Sequence, residues 1–512
     1  GSGGVVNNAG ALATFITTVN AARDWTGQIN GALNFVKSGG TQLTVRDDNQ
    51  FTGNATVMGS IVALVDQGRF SGMASGDVIS VRNSSLRWDD SAIQAMGNRI
   101  AATVGLQLDG GAFDFVSRSG ADGVVTLGNL SLTGGSSVLR ANPGNSGLGT
   151  ATVNLGGTFT RTADSTLTFV SGAGTVGANP FFYPSAAGLT TRTNGILGAW
   201  AIVNTAGSSL EFATYEATGG IRPLNQIEQT ATFAASTATS NLRFSGTLTV
   251  PSGGITVNTL TLNGAAATVA FAAATDTLTL AAGGLLSGSD NNARTIGSAS
   301  VRGRIASGAS EFFIHNGNNT LTIHSAITGT TDPVFTSGGI AGGAAIRLTN
   351  ANTYVGSAFS HGVMLYLDNQ TGAGNAITGD LTVTGGNANG GDTAVLTSTS
   401  LRSLASNQIA DTAAVTVRGG AAWELNGFNE TVARVAFNSQ GGITGGSTIT
   451  SGAGVLTLTD TANTINASNL DDVRVIAHLA GRLSLPSVAT VTVAQVAGGL
   501  TAVQGCLLYT SD

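Results

Sequence analysis

Short apolar words of alternating type recur along this chain: Leu106-Gln107-Leu108, Val124-Val125-Thr126-Leu127, Leu248-Thr249-Val250, Leu260-Thr261-Leu262, Leu278-Thr279-Leu280, Leu321-Thr322-Ile323, Val415-Thr416-Val417 and Leu456-Thr457-Leu458. A period of two places Leu, Val or Ile on one face of a strand and Thr on the other. Gly, Ser, Asn and Asp separate the words, which is the composition of turns. No run of helical period stands out, so the pattern predicts many short strands and almost no helix.

Longer phrases also repeat. From Phe35 the chain reads FVKSGGTQLTV, then Asn49-Gln50-Phe51-Thr52-Gly53, then Ile61-Val62-Ala63-Leu64-Val65. From Phe335 it reads FTSGG, then Ile346-Arg347-Leu348, Asn352-Thr353-Tyr354-Val355-Gly356 and Val363-Met364-Leu365-Tyr366-Leu367. The order strand, Asn-x-aromatic-x-Gly turn, strand is written twice. A repeat of this kind predicts an all-β, parallel β-solenoid forming one elongated repeat domain, with the apolar face stacked inward and the Thr face wet. With coils of roughly 20 to 25 residues stacked about 4.8 Å apart, the rod would be on the order of 100 Å long. The competing fold is a string of β-sandwiches, which should recur at about 100 residues with hairpin signals. Asn30-Gly31, Asn194-Gly195, Asn263-Gly264, Asn316-Gly317 and Asn426-Gly427 do occur, but at no such period.

The middle of the chain is written differently. Asn179-Pro180-Phe181-Phe182-Tyr183-Pro184 concentrates prolines and aromatics, and Gly195 to Ala201 and Phe212 to Tyr215 add more. Proline cannot donate to a strand ladder, so the expected organisation is solenoid over 1–162, an irregular aromatic excursion over 163–232, and solenoid again over 233–505.

Composition sharpens this reading. The 512 residues include 74 glycines and only 10% charged residues, about twice the usual glycine and under half the usual charge. Disorder would call for low hydrophobicity, yet 42% of the chain is apolar, enough to bury a core. A net charge of −6, with Lys37 the only lysine, leaves no electrostatic footprint for nucleic acid. No apolar run approaches the ~18 residues of a membrane helix.

At these phrases the chain resembles the passenger regions that carry the autotransporter-associated β-strand repeat. Four stretches bear the likeness: the two Asn-x-aromatic-x-Gly units; Gly195 to Tyr215; Asn258 to Gly264 with Leu278-Thr279-Leu280 and Gly283 to Leu286; and Asn407-Gln408-Ile409-Ala410-Asp411 running on to Trp423 through Glu430. The resemblance implies a right-handed parallel β-helix, secreted and displayed or released at a bacterial cell surface, with an outer-membrane translocator expected outside this fragment. It implies adhesion or a structural role, possible partners being glycans or proteins of a cell surface. It brings no catalytic residues and no cofactor.

Solenoids also host polysaccharide lyases and hydrolases, the alternative reading. Such sites need carboxylates converging from neighbouring coils. The candidates are Asp47 and Asp48 beside Arg46, Asp89 and Asp90 near Arg87, and Asp471 and Asp472 near Arg474. Adjacent acids on a strand point to opposite faces, and at a turn they are solvated corner residues. The histidines, His315, His324, His361 and His478, are scattered without zinc-site spacing. Gly385 to Asp392 has the look of a single calcium-binding nonapeptide, a motif that works only in tandem. The expectation is therefore no catalytic, cofactor or metal site, with Trp200, Phe181, Phe182 and Tyr183 as the residues best suited to contact a ligand.

The last seven residues, Cys506 to Asp512, break the style of all that precedes them and match one reading frame of a sequencing-library transposase adapter. They hold the only cysteine. Read as adapter, they have no evolved partner on the last coil. Deleting them is expected to leave the thermal unfolding midpoint unchanged; a clear drop would show that the tail is native.

Overall fold

The computed structural model describes residues 3–92, 96–144, 148–205, 209–264, 266–288, 290, 292–338, 344–385, 400–438, 446–468 and 477–494. The tail from Cys506, the Asp471-Asp472 pair and nearly all of the Gly385 to Asp392 stretch lie outside them. Strands fill most of the described chain, and helix is confined to single turns such as Ala187–Thr190.

Almost every strand pairs in parallel with the strand one coil later, as a solenoid requires. In the first half three walls alternate. Wall A begins with Val5–Asn7, Ile29–Gly31 and Asp48–Phe51; wall B runs from Ala13–Thr18 to Phe159–Arg161; wall C runs from Arg23–Trp25 to Ala201–Thr205. In this half Leu43 pairs with Val62 at the short extreme and Leu167 with Ala201 at the long one, so a coil here takes 19 to 34 residues. Two antiparallel strands, Ser209–Glu216 and Gly220–Pro223, close this first stack on wall C. Residues 225–240 turn the chain into a second stack, again of three walls. Wall D runs from Asn241–Phe244 through Glu311–Asn316 and Ala358–His361 to Val491–Ala494. Wall E runs from Thr247–Val250 to Ala422–Glu424, and wall F takes in Arg304–Ser307, Ala326–Thr330 and Thr353–Val355.

The strand words form these walls because their alternation matches a buried inner face. Leu260, Leu285, Ile314, Phe335, Val383 and Val417 are fully or almost fully buried along wall D. Phe35, Phe51 and Phe70 meet in the first core with ring centroids 5.1 to 5.8 Å apart.

The corners are held by asparagine and aspartate side chains that continue the backbone ladder between coils. Asn34 Oδ1 accepts the Asn54 N–H at 2.9 Å, Asn54 Oδ1 accepts that of Val78 at 2.8 Å, and Asp380 Oδ1 accepts that of Ala414 at 2.8 Å. The repeated phrase is explained by the same device. Asn49 Oδ1 accepts the Ile29 N–H at 2.9 Å and Asn352 Oδ1 that of Ile327 at 2.8 Å, while Phe51 and Tyr354 fill the core. The closing glycines admit the adjacent coil: a Cβ on Gly53 would lie 2.6 Å from the Leu33 carbonyl oxygen, and one on Gly356, at φ +154°, 2.4 Å from that of Thr331. Asn375-Ala376-Ile377-Thr378-Gly379 is a further unit of this kind with isoleucine in the aromatic place, and its Thr378 Oγ1 donates to the Tyr354 carbonyl at 2.7 Å.

The chain does not run as one straight column. Wall C of the first stack packs against wall D of the second. Ala199 meets His315, Asp164 meets His361, and Asp109 meets Arg418. Rising numbers in one stack face falling numbers in the other, so the two lie side by side with opposed axes. At about 4.8 Å per coil the stacks are roughly 35 and 50 Å tall. The expected ~100 Å rod is thus folded back on itself, because the outward residues of walls C and D have each other to pack against. For the same reason the outer face is not wet everywhere: Thr168, Thr336 and Thr384 project outward from their walls and are buried between the stacks.

Leu262 and Leu425 are fully buried. An aspartate at either would forfeit about 2 kcal/mol of burial and place an unpaired carboxylate between coils, for a total loss expected to exceed ~4 kcal/mol. Asp47→Asn and Asp89→Asn should stay within about 0.5 kcal/mol. Urea unfolding with limited proteolysis checks both, and early cleavage is expected in the coils next to the substitution.

Candidate functional site

Of the four aromatic residues singled out from the sequence, two face outward together. Phe181 and Tyr183 alternate on strand Phe181–Pro184, half-buried, with rings 5.6 Å apart and 10° from parallel. The Tyr183 hydroxyl donates to the Thr218 carbonyl at 3.0 Å. Their neighbours across the wall are Thr152 and Asn154, one coil earlier. Phe182 points the other way and is buried against Phe169 at 5.3 Å. Trp200 belongs to a different cluster. It stacks on Phe159 at 5.3 Å, and the Arg161 guanidinium lies 5.6 Å from its ring and 5.5 Å from that of Phe313 across the seam.

Trp88 and Trp423 are fully buried, their indole N–H groups donating to Asp90 at 3.1 Å and Ser403 at 3.4 Å. Trp25 borders a hollow of about 380 Å³ over the first coil, lined also by Thr18, Asn20, Arg23, Asp24 and Leu43.

Of the candidate acids, Asp48, Asp89 and Asp90 are engaged. Asp48 accepts from Arg69 at 2.8 Å and is held below the usual carboxylate range by hydrogen bonds from Arg69, Ser71 and Gln50, which outweigh its burial. Asp89 and Asp90 do point to opposite faces. Asp89 accepts from Ser91, whereas Asp90 is buried and pairs with the fully buried Arg99 at 2.8 Å. His315 is fully buried, with Nε2 donating to the Ala199 carbonyl and Nδ1 accepting from Thr336, each at 2.8 Å. His324 Nδ1 lies 2.7 Å from Thr349 Oγ1. The single lysine is not a surface group either: Lys37 is buried and its Nζ donates to the Gly39 and Met58 carbonyls.

Sequence reasoning missed the acids with the most altered chemistry. Burial raises Glu430 to about 7 despite N–H donors from Gln408, Ile409 and Thr431, and raises Asp114 to about 6 despite the charges of Arg87 and Arg140. Glu430 is 1% exposed. It ties one coil to the next, and a substrate could not reach it. No cluster of three or more metal-ligating residues occurs among the described residues. The missed signal was in the partners: Asp114 meets Arg87 at 2.9 Å across 27 positions, an offset visible only once the coil length is known.

These buried groups set the pH response. Glu430 and Asp114 have folded pKa values above their unfolded ones, so their contribution to stability is full below about pH 4 and is lost as pH rises through 6 to 7. Burial lowers His315 to about 4, so its contribution is full above pH 6.5 and is lost as pH falls towards 4. Each change is on the order of 3 kcal/mol at most. Urea midpoints between pH 4 and 8 are expected to show Glu430→Gln abolishing part of the alkaline decline and His315→Asn part of the acid decline.

No protein-family profile matches the chain, and no solved structure matches it. Among characterised proteins it is similar to the adhesin BmaC autotransporter of Brucella suis biovar 1 (strain 1330), at 26% identity over 391 residues, which is 73% of this chain and 10% of that protein. The chain spans about a tenth of that relative's length. What it resembles over nearly three quarters of its own length is therefore part of an autotransporter adhesin.

Proposed function

We propose that this chain is a segment of a non-catalytic adhesive or structural passenger of the autotransporter type, built as a right-handed parallel β-solenoid and displayed or released at a bacterial cell surface. The observation that carries this reading is the use the fold makes of its ionisable groups. Asp48, Asp90, Asp114, Glu311 and Glu424 are each matched to an arginine on another coil, in the adjoining loop or on the other stack. Groups held in this way serve cohesion of the fold, and the likeness to an adhesin over most of the chain agrees with that role. The contact surface we assign is the outward pair Phe181 and Tyr183, with Phe182 packing the core behind it and Trp200 held apart in the cluster of Phe159 and Arg161. Partners would be glycans or proteins of an opposing cell surface, and the translocating barrel would belong to another part of the longer protein.

The test is adhesion. Surfaces coated with the purified chain should retain cells or glycan-coated beads, and Phe181→Ala with Tyr183→Ala should lower retention several-fold without shifting the thermal midpoint. Reducing-end release from polysaccharide should stay at background. Release that disappears in folded Asp90→Asn or Glu430→Gln variants would overturn the reading in favour of a polysaccharide-cleaving solenoid.

A further inference from the structure

The seam between the stacks changes character along its length. Beside the turn it is apolar, with Ile202, Leu210, Phe212 and Leu224 against Leu286, Phe313 and Val334. There it is also pinned by asparagines: Asn194 Nδ2 donates to Asn258 Oδ1 at 3.0 Å, and Asn241 Nδ2 to the Asn194 carbonyl at 2.7 Å. Away from the turn the named contacts are polar. Arg161 Nη1 donates to Glu311 Oε1 at 3.0 Å, and the Asp164 N–H donates to the same oxygen at 2.7 Å. His361 Nε2 lies 3.3 Å from the Asp164 carboxylate. Farthest out, one Arg418 nitrogen donates to both carboxylate oxygens of Asp109 at 2.6 Å, across 309 positions of sequence.

An interface between units of one chain moves readily unless it is large and apolar. Here the main apolar contact is at the turn, and farther out the outer face of wall C adds only the small buried group Ala112, Val138 and Val170. The side chains of Asp109 and Arg418 are 12% and 15% exposed, so water already reaches the outer pair and can solvate both ions when they part. A pair at that depth contributes less than a fully buried one and leaves no dry charge behind on opening. The geometry points to a hinged clamp: the two stacks swing about the apolar end, the Asp109–Arg418 pair is the latch, and opening uncovers the inner faces of walls C and D. The part uncovered is the one away from the hinge, which on wall C carries the Arg87–Asp114–Arg140 ladder and which the closed form withholds from any partner.

The test measures the distance between the stacks in the full chain carrying Cys506→Ser. Spin labels go on cysteines at Thr56 and Thr450, both outward and half-exposed. The parent should give one short, narrow distance. Arg418→Asp should raise the long-distance population at least tenfold, and the reciprocal Asp109→Arg with Arg418→Asp should return it to the parent value. Salt at ~1 M, where the Debye length falls to about 3 Å, should raise it in the parent and not in Arg418→Gln. Hydrogen exchange in the strands Leu381–Thr384 and Ala112–Val116 reports whether each stack stays folded; if Arg418→Asp unfolds one, Arg418→Gln is read in its place with the same expectation. An unchanged distance in both variants, or failure of the charge swap to restore closure, overturns the clamp.

Discussion

The parallel ladder between successive coils is the interaction on which the rest of this structure depends. A strand in such a stack has neighbours on both sides, and its N–H and C=O groups find partners only if the next coil arrives in register. The walls meet that demand with short, strictly alternating words. The corners, where the ladder would lapse, meet it with Asn and Asp oxygens that accept the neighbouring coil's N–H, as Asn34 does for Asn54 and Asp332 for Ser357. Coil length can then vary from 18 to 36 residues without loss of register, because extra residues leave at corners already tied from coil to coil.

With only 10% charged residues, the placement of each ion matters. Many join consecutive coils on an outer face: Arg46 reaches both Asp24 and Asp66, Arg347 reaches Asp368, and Arg402 reaches Glu424. Others join the two stacks. The fully buried arginines Arg99 and Arg294 are paired with Asp90 and Asp290, and the buried Lys37 is held by carbonyl oxygens, since an uncompensated ion there would be too costly to keep. Arg161 combines both roles, bonded to Glu311 and lying between the rings of Trp200 and Phe313. This accounts for Trp200 as an element of cohesion and leaves Phe181 and Tyr183 as the outward aromatic pair. An adhesive surface on this fold would offer hydroxyls, amides and a few rings, with little net field.

Much of the local structure was legible in the sequence. The alternating words became strands, Leu262 and Leu425 became core, and the Asn-x-aromatic-x-Gly phrase marked corners whose three recurring roles follow from chemistry alone: a bridging amide, a core filler and a residue without a Cβ. The adjacent acids Asp89 and Asp90 diverge to opposite faces as a period of two demands. These features were readable because they depend on spacings of one to five residues, where side-chain direction follows from backbone geometry. What the sequence could not disclose was which wall would be covered. Outward Thr336 and outward Thr322 are spelled alike, yet Thr336 is fully buried in the seam while Thr322 is half-exposed on wall E. Asp109 and Arg418 have nothing local to announce each other, and their pairing exists only because the chain turns back near residue 230 and sets one stack against the other. Sequence by itself determined strand, corner and core, because each is a contest among near neighbours; tertiary structure decided the seam and the partners of its ions, because those depend on which distant surfaces the turn brings within reach.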